Sequence, residues 1–297
     1  MNKIPVGPTI RFAYAFTFGE IGTVIGLVWI PLVISAVAEF LVERVLSAGE
    51  PAEGATGGLS PGFGYLALYS VLAVLLSAMV ATAIARQAMG VRQGPALAHV
   101  SLGRTELHVF GGIAGLYLLC FIFAMGVTLA VMVVGGLASL VAPSKAAGET
   151  IGAAAGSFAA LIGLGAILYA MLRLSFLFVP SVIGGGGFGL TKSWEMTKGN
   201  FWRIVAIGAA TALPASLVLF AINLAILGPE YFASLAAMVQ DQAHLAKYAA
   251  EQSRMTSAKL PLLLGVSLVL APINYGLLFA PAAFAYRALS GKIVLPE

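Results

Sequence analysis

Long uninterrupted apolar runs alternate along the chain with shorter polar segments. Six runs reach the length of about 20 apolar residues that a helix needs to cross a bilayer, namely residues 21–38, 63–85, 109–141, 151–172, 201–227 and 260–286. Apolar and polar positions do not alternate within them, as they would in the strands of a membrane barrel. Backbone groups in lipid must be hydrogen-bonded within their own segment, so the runs predict helices. The expected fold class is an all-α polytopic membrane protein with six transmembrane helices.

The composition agrees with a chain embedded in lipid. Of the 297 residues, 60% are hydrophobic and 9% are charged, whereas a soluble domain carries about 25% charged residues. This scarcity of charge excludes a secreted domain, a cytosolic enzyme and a free nucleic-acid-binding protein. The single cysteine, Cys120, excludes an intrachain disulfide and a cysteine metal cage.

Lysine and arginine are distributed unevenly between the two ends of the six runs. The N-terminus, residues 86–108, residues 173–203 and the C-terminus hold eleven Lys and Arg against four Glu, a net charge of +7. The segments on the opposite side have a net charge of −3. The positive-inside rule therefore predicts cytoplasmic N- and C-termini. The first run is long for the apolar core of a signal peptide, so we expect it to be retained.

A short pattern precedes the three runs that leave the cytoplasmic side. It consists of a hydroxyl residue, a variable residue and a glycine: Thr17-Phe18-Gly19, Ser101-Leu102-Gly103 and Thr197-Lys198-Gly199. One arginine closes each returning run, and these are Arg86, Arg173 and Arg287. The recurrence predicts a single transmembrane domain, residues 1–297, of three hairpin repeats at approximately 9–86, 95–173 and 188–287. Each repeat is expected to start with a short interfacial helix that ends at a left-handed glycine.

The basic and aromatic residues at this side are candidates for contacts with lipid headgroups. Arginine can reach phosphates while its stem stays in apolar surroundings, and tryptophan prefers the headgroup level. An alternative is that these residues anchor the helices without binding a ligand. The candidates are Arg86, Arg104, Arg173, Lys192, Trp194, Lys198, Trp202 and Arg287.

Two further patterns indicate contacts within the membrane or with partners. Small residues four apart predict close helix packing, at Gly22 and Gly26, Gly111 and Gly115, and Gly152 and Gly156. Residues 229–258 leave room for an outer amphipathic helix, with a polar stripe of Gln240, His244, Lys247 and Glu251. Such a helix is expected to lie on the outer leaflet or on a partner protein.

Candidate chemistry is sparse. Residues 184–193 are rich in glycine, but Leu190 and Thr191 separate the last glycine from Lys192, unlike a phosphate-binding loop. His99, Glu106 and His108 share one segment without the spacing of a metal motif. We therefore expect no catalytic residue, metal or cofactor. Asn223 and Asn274 lie deepest in the runs and are expected to bond across helices, or alternatively to line a polar path.

One stretch resembles a bacterial family. An apolar segment that ends in a proline, residues 173–180, is followed by a loop and by residues 190–203. It is similar to the non-catalytic membrane domain of some glycerophosphoryl diester phosphodiesterases and to related stand-alone six-helix inner-membrane proteins. The residues that match the family's box are Ser193, Trp194, Thr197, Gly199, Asn200 and Trp202. Relatives often carry an acidic residue where this chain has Gly184–Gly187. The resemblance implies a bacterial inner-membrane location, and it does not imply phosphodiesterase activity.

These observations favour a non-enzymatic inner-membrane protein that acts as an accessory or lipid-interacting subunit of a larger assembly. Its expected partners are membrane lipids and other membrane subunits, which it would meet through glycine-faced helices or the 229–258 helix, and not nucleic acid. The alternative is a transporter or lipid translocator with a path between the hairpins, because pseudosymmetric repeats and intramembrane polar residues occur in transporters. A more distant alternative is an enzyme for lipid headgroups that uses His99, Glu106 and His108.

Overall fold

The computed structural model describes residues 3–48, 61–92, 101–141, 144–185, 189–240 and 245–291, and no strand occurs among them. Their helices are α1 (Val6–Gly19), α2 (Ile21–Ala48), α3 (Pro61–Ala88), α4 (Arg104–Leu140), α5 (Lys145–Phe176), α6 (Phe178–Gly185), α7 (Leu190–Met196), α8 (Phe201–Leu227), α9 (Pro229–Gln240) and α10 (Leu245–Leu289). Six helical segments are long and apolar enough to cross a membrane, in α2, α3, α4, α5 with α6, α8 and α10. The all-α polytopic fold class is confirmed.

Polar side chains and glycine set several helix ends. Ser144 accepts a hydrogen bond from the Ala147 backbone N–H and so caps the start of α5. Gly228, at a φ of 84°, ends α8. The Lys259 ammonium donates to the carbonyls of Ile226 and Leu227 at this end, where free carbonyls attract a cation.

The buried core lies at one end of the bundle. We call this end, which carries Arg86, Arg173 and Arg287, the inner end, after the topology that the charges predict. The largest cluster of buried apolar residues joins α1 to the adjoining parts of α2, α3, α8 and α10. Its largest members include Ile4, Leu27, Ile84, Leu177, Ile204 and Ile207. The helices are thus packed against one another chiefly in their inner halves.

The outer part of the α4–α5 hairpin is different, because these two helices pack mainly on each other. A Cβ on Gly152 would lie 2.8 Å from the Gly135 carbonyl oxygen, and one on Gly163 would lie 2.5 Å from Val127. Such close contact confirms the packing role of the 152–156 pair. Around it, most large apolar side chains of the hairpin face outward and are exposed.

One glycine of each of the other two predicted pairs does not pack in this way. Nothing lies within 4 Å of a Cβ placed on Gly22 or Gly115, so these two positions do not mark close contacts among the described residues. Gly112, on the same helix as Gly115, does make a close contact, because the Phe178 ring occupies the space that a side chain at this position would need.

The expected left-handed glycine is present before only one hairpin. Gly199 has a φ of +75°. Gly103 has a φ of −102° and is instead the cap of α4, where the Glu106 carboxylate accepts from its N–H. Gly19 does not have a positive φ either, because α1 passes into α2 by a tight break at Glu20.

Two segments differ from the predicted boundaries. Residues 229–258 do not form one separate helix, since α9 ends at Gln240 and residues 245–258 belong to α10, which continues into the sixth span. His244 lies outside the described residues. Short helices precede the first and third hairpins, as α1 and α7, whereas residues 93–100, before the second, are outside the described part of the chain. The three-repeat interpretation stays a prediction.

Candidate functional site

A layer of interacting polar side chains joins the inner ends of the helices. We call it the inner polar layer and define it by these residues: Glu20, Arg86, Gln87, Glu106, Tyr169, Arg173, Lys192, Ser193, Trp194, Thr197, Asn200, Arg203 and Tyr286. Most of these contacts link residues that are far apart in the sequence.

Arg86, in the last turn of α3, forms an ion pair with Glu106 in the first turn of α4. The Arg86 Nη1 and Glu106 Oε1 atoms are 2.8 Å apart, and the two side chains are 26% and 2% exposed. The second carboxylate oxygen accepts from the Gly103 N–H at 3.0 Å. Glu106 therefore has a partner for both oxygens, as a buried carboxylate requires. Beside this pair, the Gln87 amide donates to Glu20 at the start of α2.

Arg173, at the end of α5, is held by protein atoms on several sides. Its guanidinium donates to the Trp194 carbonyl at 2.5 Å, to the Tyr169 hydroxyl at 3.0 Å and to the Thr197 hydroxyl at 3.4 Å. The Trp194 ring lies 3.8 Å from the guanidinium carbon, close enough for a cation–π interaction. Arg173 is only 5% exposed, which corrects the expectation that it reaches headgroups. Its burial instead fixes α7 against α5.

The motif around residues 193–200 has a structural explanation in these contacts. Ser193 and Thr197 are fully buried. The Ser193 hydroxyl donates to the Arg173 carbonyl at 2.9 Å, and the Thr197 hydroxyl donates to the Ser193 carbonyl at 2.7 Å. Gly199 supplies the left-handed turn before α8. The Asn200 side-chain oxygen accepts from the Ile4 N–H at 3.0 Å.

Asn200 and Arg203 attach the start of the chain to α8. The Arg203 guanidinium donates to the Ile4 carbonyl at 2.7 Å, and the Tyr14 hydroxyl donates to the Ala210 carbonyl at 2.7 Å. The sequence carries one signal for this attachment, an Asn directly before the apolar run at residues 201–227, but it does not indicate Ile4 as the partner.

Two described glycines of the segment before α7 lie in close contact with their neighbours. Gly189 has a φ of +49°, and a Cβ there would lie 2.7 Å from Val182. Gly184 leaves room for the Tyr286 ring, whose hydroxyl accepts from the Lys192 ammonium at 3.0 Å. Lys192 thus connects α7 to the inner end of α10. Residues 186–188 lie outside the described part of the chain.

The remaining candidates do not join these clusters. Arg104 and Lys198 are exposed, Trp202 is 78% exposed beside Phe201, and Arg287 is half-buried next to Tyr286. Arg86, Arg173 and Arg287 nevertheless occupy the same end of the bundle, as their contacts and neighbours show. Lipid contact by the exposed candidates stays a prediction.

A second polar site, which we call the outer crevice, lies between α2, α8 and α10. Its volume is about 220 Å³, and its polar lining residues are Ser35, Glu39, Ser267, Asn274 and Tyr275. Because α2 extends to Ala48, Glu39 lies inside a spanning helix and not at its end. The apolar run at residues 21–38 ends one residue before Glu39, so the sequence alone does not indicate this site.

The two asparagines deep in the spans have different surroundings. Asn274 accepts a hydrogen bond of 3.4 Å from Ser216 on α8, so its predicted bond across helices is confirmed, and it lines the outer crevice as well. The Asn223 side-chain oxygen is buried and has no hydrogen-bond partner among the described residues.

Comparison of the chain with protein-family models, curated proteins and solved structures gives no match. The resemblance of residues 173–203 to the phosphodiesterase membrane domain therefore stays a prediction. Of the suggested histidine cluster, His99 lies outside the described residues. Among those described, no three His, Cys, Asp or Glu side chains are grouped so as to hold a metal ion.

Proposed function

We propose that the protein is a non-enzymatic, lipid-interacting accessory subunit of a larger assembly in the bacterial inner membrane, with both termini in the cytoplasm. The observation that carries this proposal is the length and apolar character of the α4–α5 hairpin.

The hairpin is longer than the apolar part of a bilayer. α4 has 37 residues and α5 has 32, which at 1.5 Å per residue correspond to about 55 Å and 48 Å. The hydrocarbon core measures about 30 Å. The distal end of α4 is still apolar, and Leu140 and Val141 are 80% and 84% exposed.

Large exposed apolar patches mark interaction surfaces. Along the hairpin the hydroxyls of Thr128, Ser139 and Thr150 bond to the backbone of their own helix, so these three groups need no polar partner from a neighbour. Lipid chains fit the middle of this face. Its tip, residues 137–141, is best covered by an apolar surface of another subunit.

The inner end supports the lipid-interacting part of the proposal. Arg104, Lys198 and Trp202 are exposed there, and each cation near an anionic membrane surface contributes about 1 kcal/mol of attraction. The charge asymmetry between the two ends supports cytoplasmic termini.

Purification in a mild detergent, with photo-crosslinking from the hairpin tip, tests the proposal. A photoreactive amino acid at Leu140 should crosslink to one defined protein. The same group at Trp202, on the opposite end, is the matched control and should crosslink mainly to lipid. Leu140→Asp should abolish co-purification of that protein. Isolation of a single chain that retains neither lipid nor partner would contradict the proposal.

The outer crevice favours a second candidate, a transporter or lipid translocator. Intramembrane acidic residues often mark a transport path, and Glu39 faces this crevice. The inner halves of α2, α8 and α10 are closely packed, so transport would require the inner end to open. In a Cys120→Ala background, a cysteine at Asn274 should then react with an impermeant maleimide from either side of the membrane. Labelling from the outer side alone would exclude alternating access.

A further inference from the structure

The outer crevice combines one carboxylate with neutral polar groups and apolar walls. Glu39 accepts a hydrogen bond of 3.2 Å from the Tyr69 hydroxyl on α3. Leucine side chains from all three helices complete the lining, namely Leu32, Leu219, Leu264 and Leu268. A cavity of about 220 Å³ greatly exceeds the share of about 30 Å³ that one water molecule occupies in the liquid. It therefore has space for an organic group.

Within the described part of the chain, no basic side chain forms an ion pair with Glu39. Lys259, the nearest basic residue along α10, directs its ammonium to the carbonyls at the end of α8. A carboxylate at the edge of the hydrocarbon core, where the surroundings are less polar than water, is stabilised by an opposite charge. A cationic ligand would supply one.

The depth of the crevice indicates where this cation would come from. Glu39 lies eighteen residues beyond Ile21, the first residue of α2, or about 27 Å along the helix from the inner end. This places the carboxylate near the outer boundary of a hydrocarbon core of about 30 Å. Asn274 and Tyr275 lie near the middle of α10 and close the deeper end. The crevice thus extends from the headgroup level of the outer leaflet to about the middle of the bilayer.

We propose that the outer crevice binds an amphiphile with an ammonium headgroup, whose charge pairs with Glu39 and whose tail lies among the leucines. This chemistry occurs both in ethanolamine lipids and in free alkylamines. The inference rests on the proposed lipid-interacting function, since it specifies the headgroup of one bound lipid.

Native mass spectrometry of the full chain in mild detergent tests the inference. The protein is titrated with phosphatidylethanolamine and with phosphatidylglycerol of identical acyl chains, and separately with octylammonium. An ammonium–carboxylate contact should favour the ethanolamine lipid roughly tenfold. Glu39→Gln should remove this preference. The matched control is Glu43→Gln, because Glu43 lies one turn further out, bonds to Ser257 and does not line the crevice.

A second variant distinguishes a specific loss of binding from misfolding of the Glu39→Gln protein. Ala271→Phe fills the crevice and leaves Glu39 in place, and it should weaken binding by a similar factor. If octylammonium binding depends on Glu39 and the lipid preference does not, the ammonium site stands and its ligand is a free amine. Equal binding of both lipids in all variants, with no Glu39-dependent octylammonium binding, overturns the inference but leaves a lipid-interacting protein. A chain that binds no lipid at all overturns both proposals.

Discussion

The ion pair between Arg86 and Glu106 offers the sharpest test of the inner polar layer. Glu106 is 2% exposed, and its two oxygens are bonded to Arg86 and to the Gly103 N–H. Arg86→Met removes the cation and leaves a buried carboxylate with one backbone donor. Loss of one partner of a buried pair costs about 3–5 kcal/mol. Since Arg86 is itself 26% exposed, solvent screens the pair and we expect a cost below this range, about 2–3 kcal/mol.

The double variant Arg86→Met with Glu106→Met should recover most of this loss. Replacement of both members of a buried pair by apolar groups of similar volume is often neutral. The Gly103 N–H loses its acceptor in this variant, which leaves a residual cost of about 1 kcal/mol. A thermodynamic cycle over the wild type, the two single variants and the double variant therefore measures the coupling directly.

The assay is reversible unfolding in mixed micelles with increasing mole fraction of SDS, followed by circular dichroism. Arg104→Met is the matched control, because Arg104 lies in the same first turn of α4 but is exposed, and it should change the unfolding free energy by less than about 0.5 kcal/mol. If Arg86→Met costs no more than this control, or if the two single effects simply add, the pair does not stabilise the inner end as described.

Three further predictions use the same unfolding assay or a simple extension of it. Gly152→Leu should destabilise the hairpin by about 1–3 kcal/mol, because its Cβ would meet the Gly135 carbonyl oxygen at 2.8 Å. The control Gly115→Leu should be nearly neutral, because a Cβ at that position meets nothing within 4 Å. Equal effects of the two substitutions would refute the packing argument. Arg173→Lys should lower the free energy of unfolding by about 1–3 kcal/mol, since lysine cannot donate to three acceptors and stack on an indole in the same way. If this variant is as stable as the wild type, the contacts of Arg173 do not stabilise the protein. Asn200→Ala leaves the buried Ile4 N–H without its acceptor, so backbone hydrogen exchange in α1 should accelerate by roughly tenfold, and unchanged exchange would exclude this attachment.

The spans were predictable because the requirement for a continuous apolar helix acts on every residue of each run. The number of spans between Arg86, Arg173 and Arg287 predicts that these residues lie at the same end of the bundle. It does not predict which side chains each arginine contacts. Two of the three acceptors of Arg173, on Trp194 and Thr197, are 21 and 24 residues away. They reach it only because α7 folds back against α5, which no local pattern encodes.

The outer crevice was missed for a similar reason. Glu39 directly follows the apolar run at residues 21–38, so the run alone places it outside the predicted span. Helix α2 continues to Ala48 because the residues after Glu39 remain good helix formers. The pattern predicts a left-handed Gly103, and this prediction is wrong. The Glu106 carboxylate accepts from the Gly103 N–H, so the chain enters α4 without a left-handed turn.

The attachment of α1 to α8 has a consequence for the order of biosynthesis. Ile4 and its acceptor Asn200 are separated by 196 positions, and at a synthesis rate of about 5–20 residues per second the acceptor is made roughly 10–40 s later. Until then, α1 lacks its attachment to α8. The contacts of α1 with α8 and α10 can form only after the last two spans have been made, so the inner end of the bundle is completed late in synthesis.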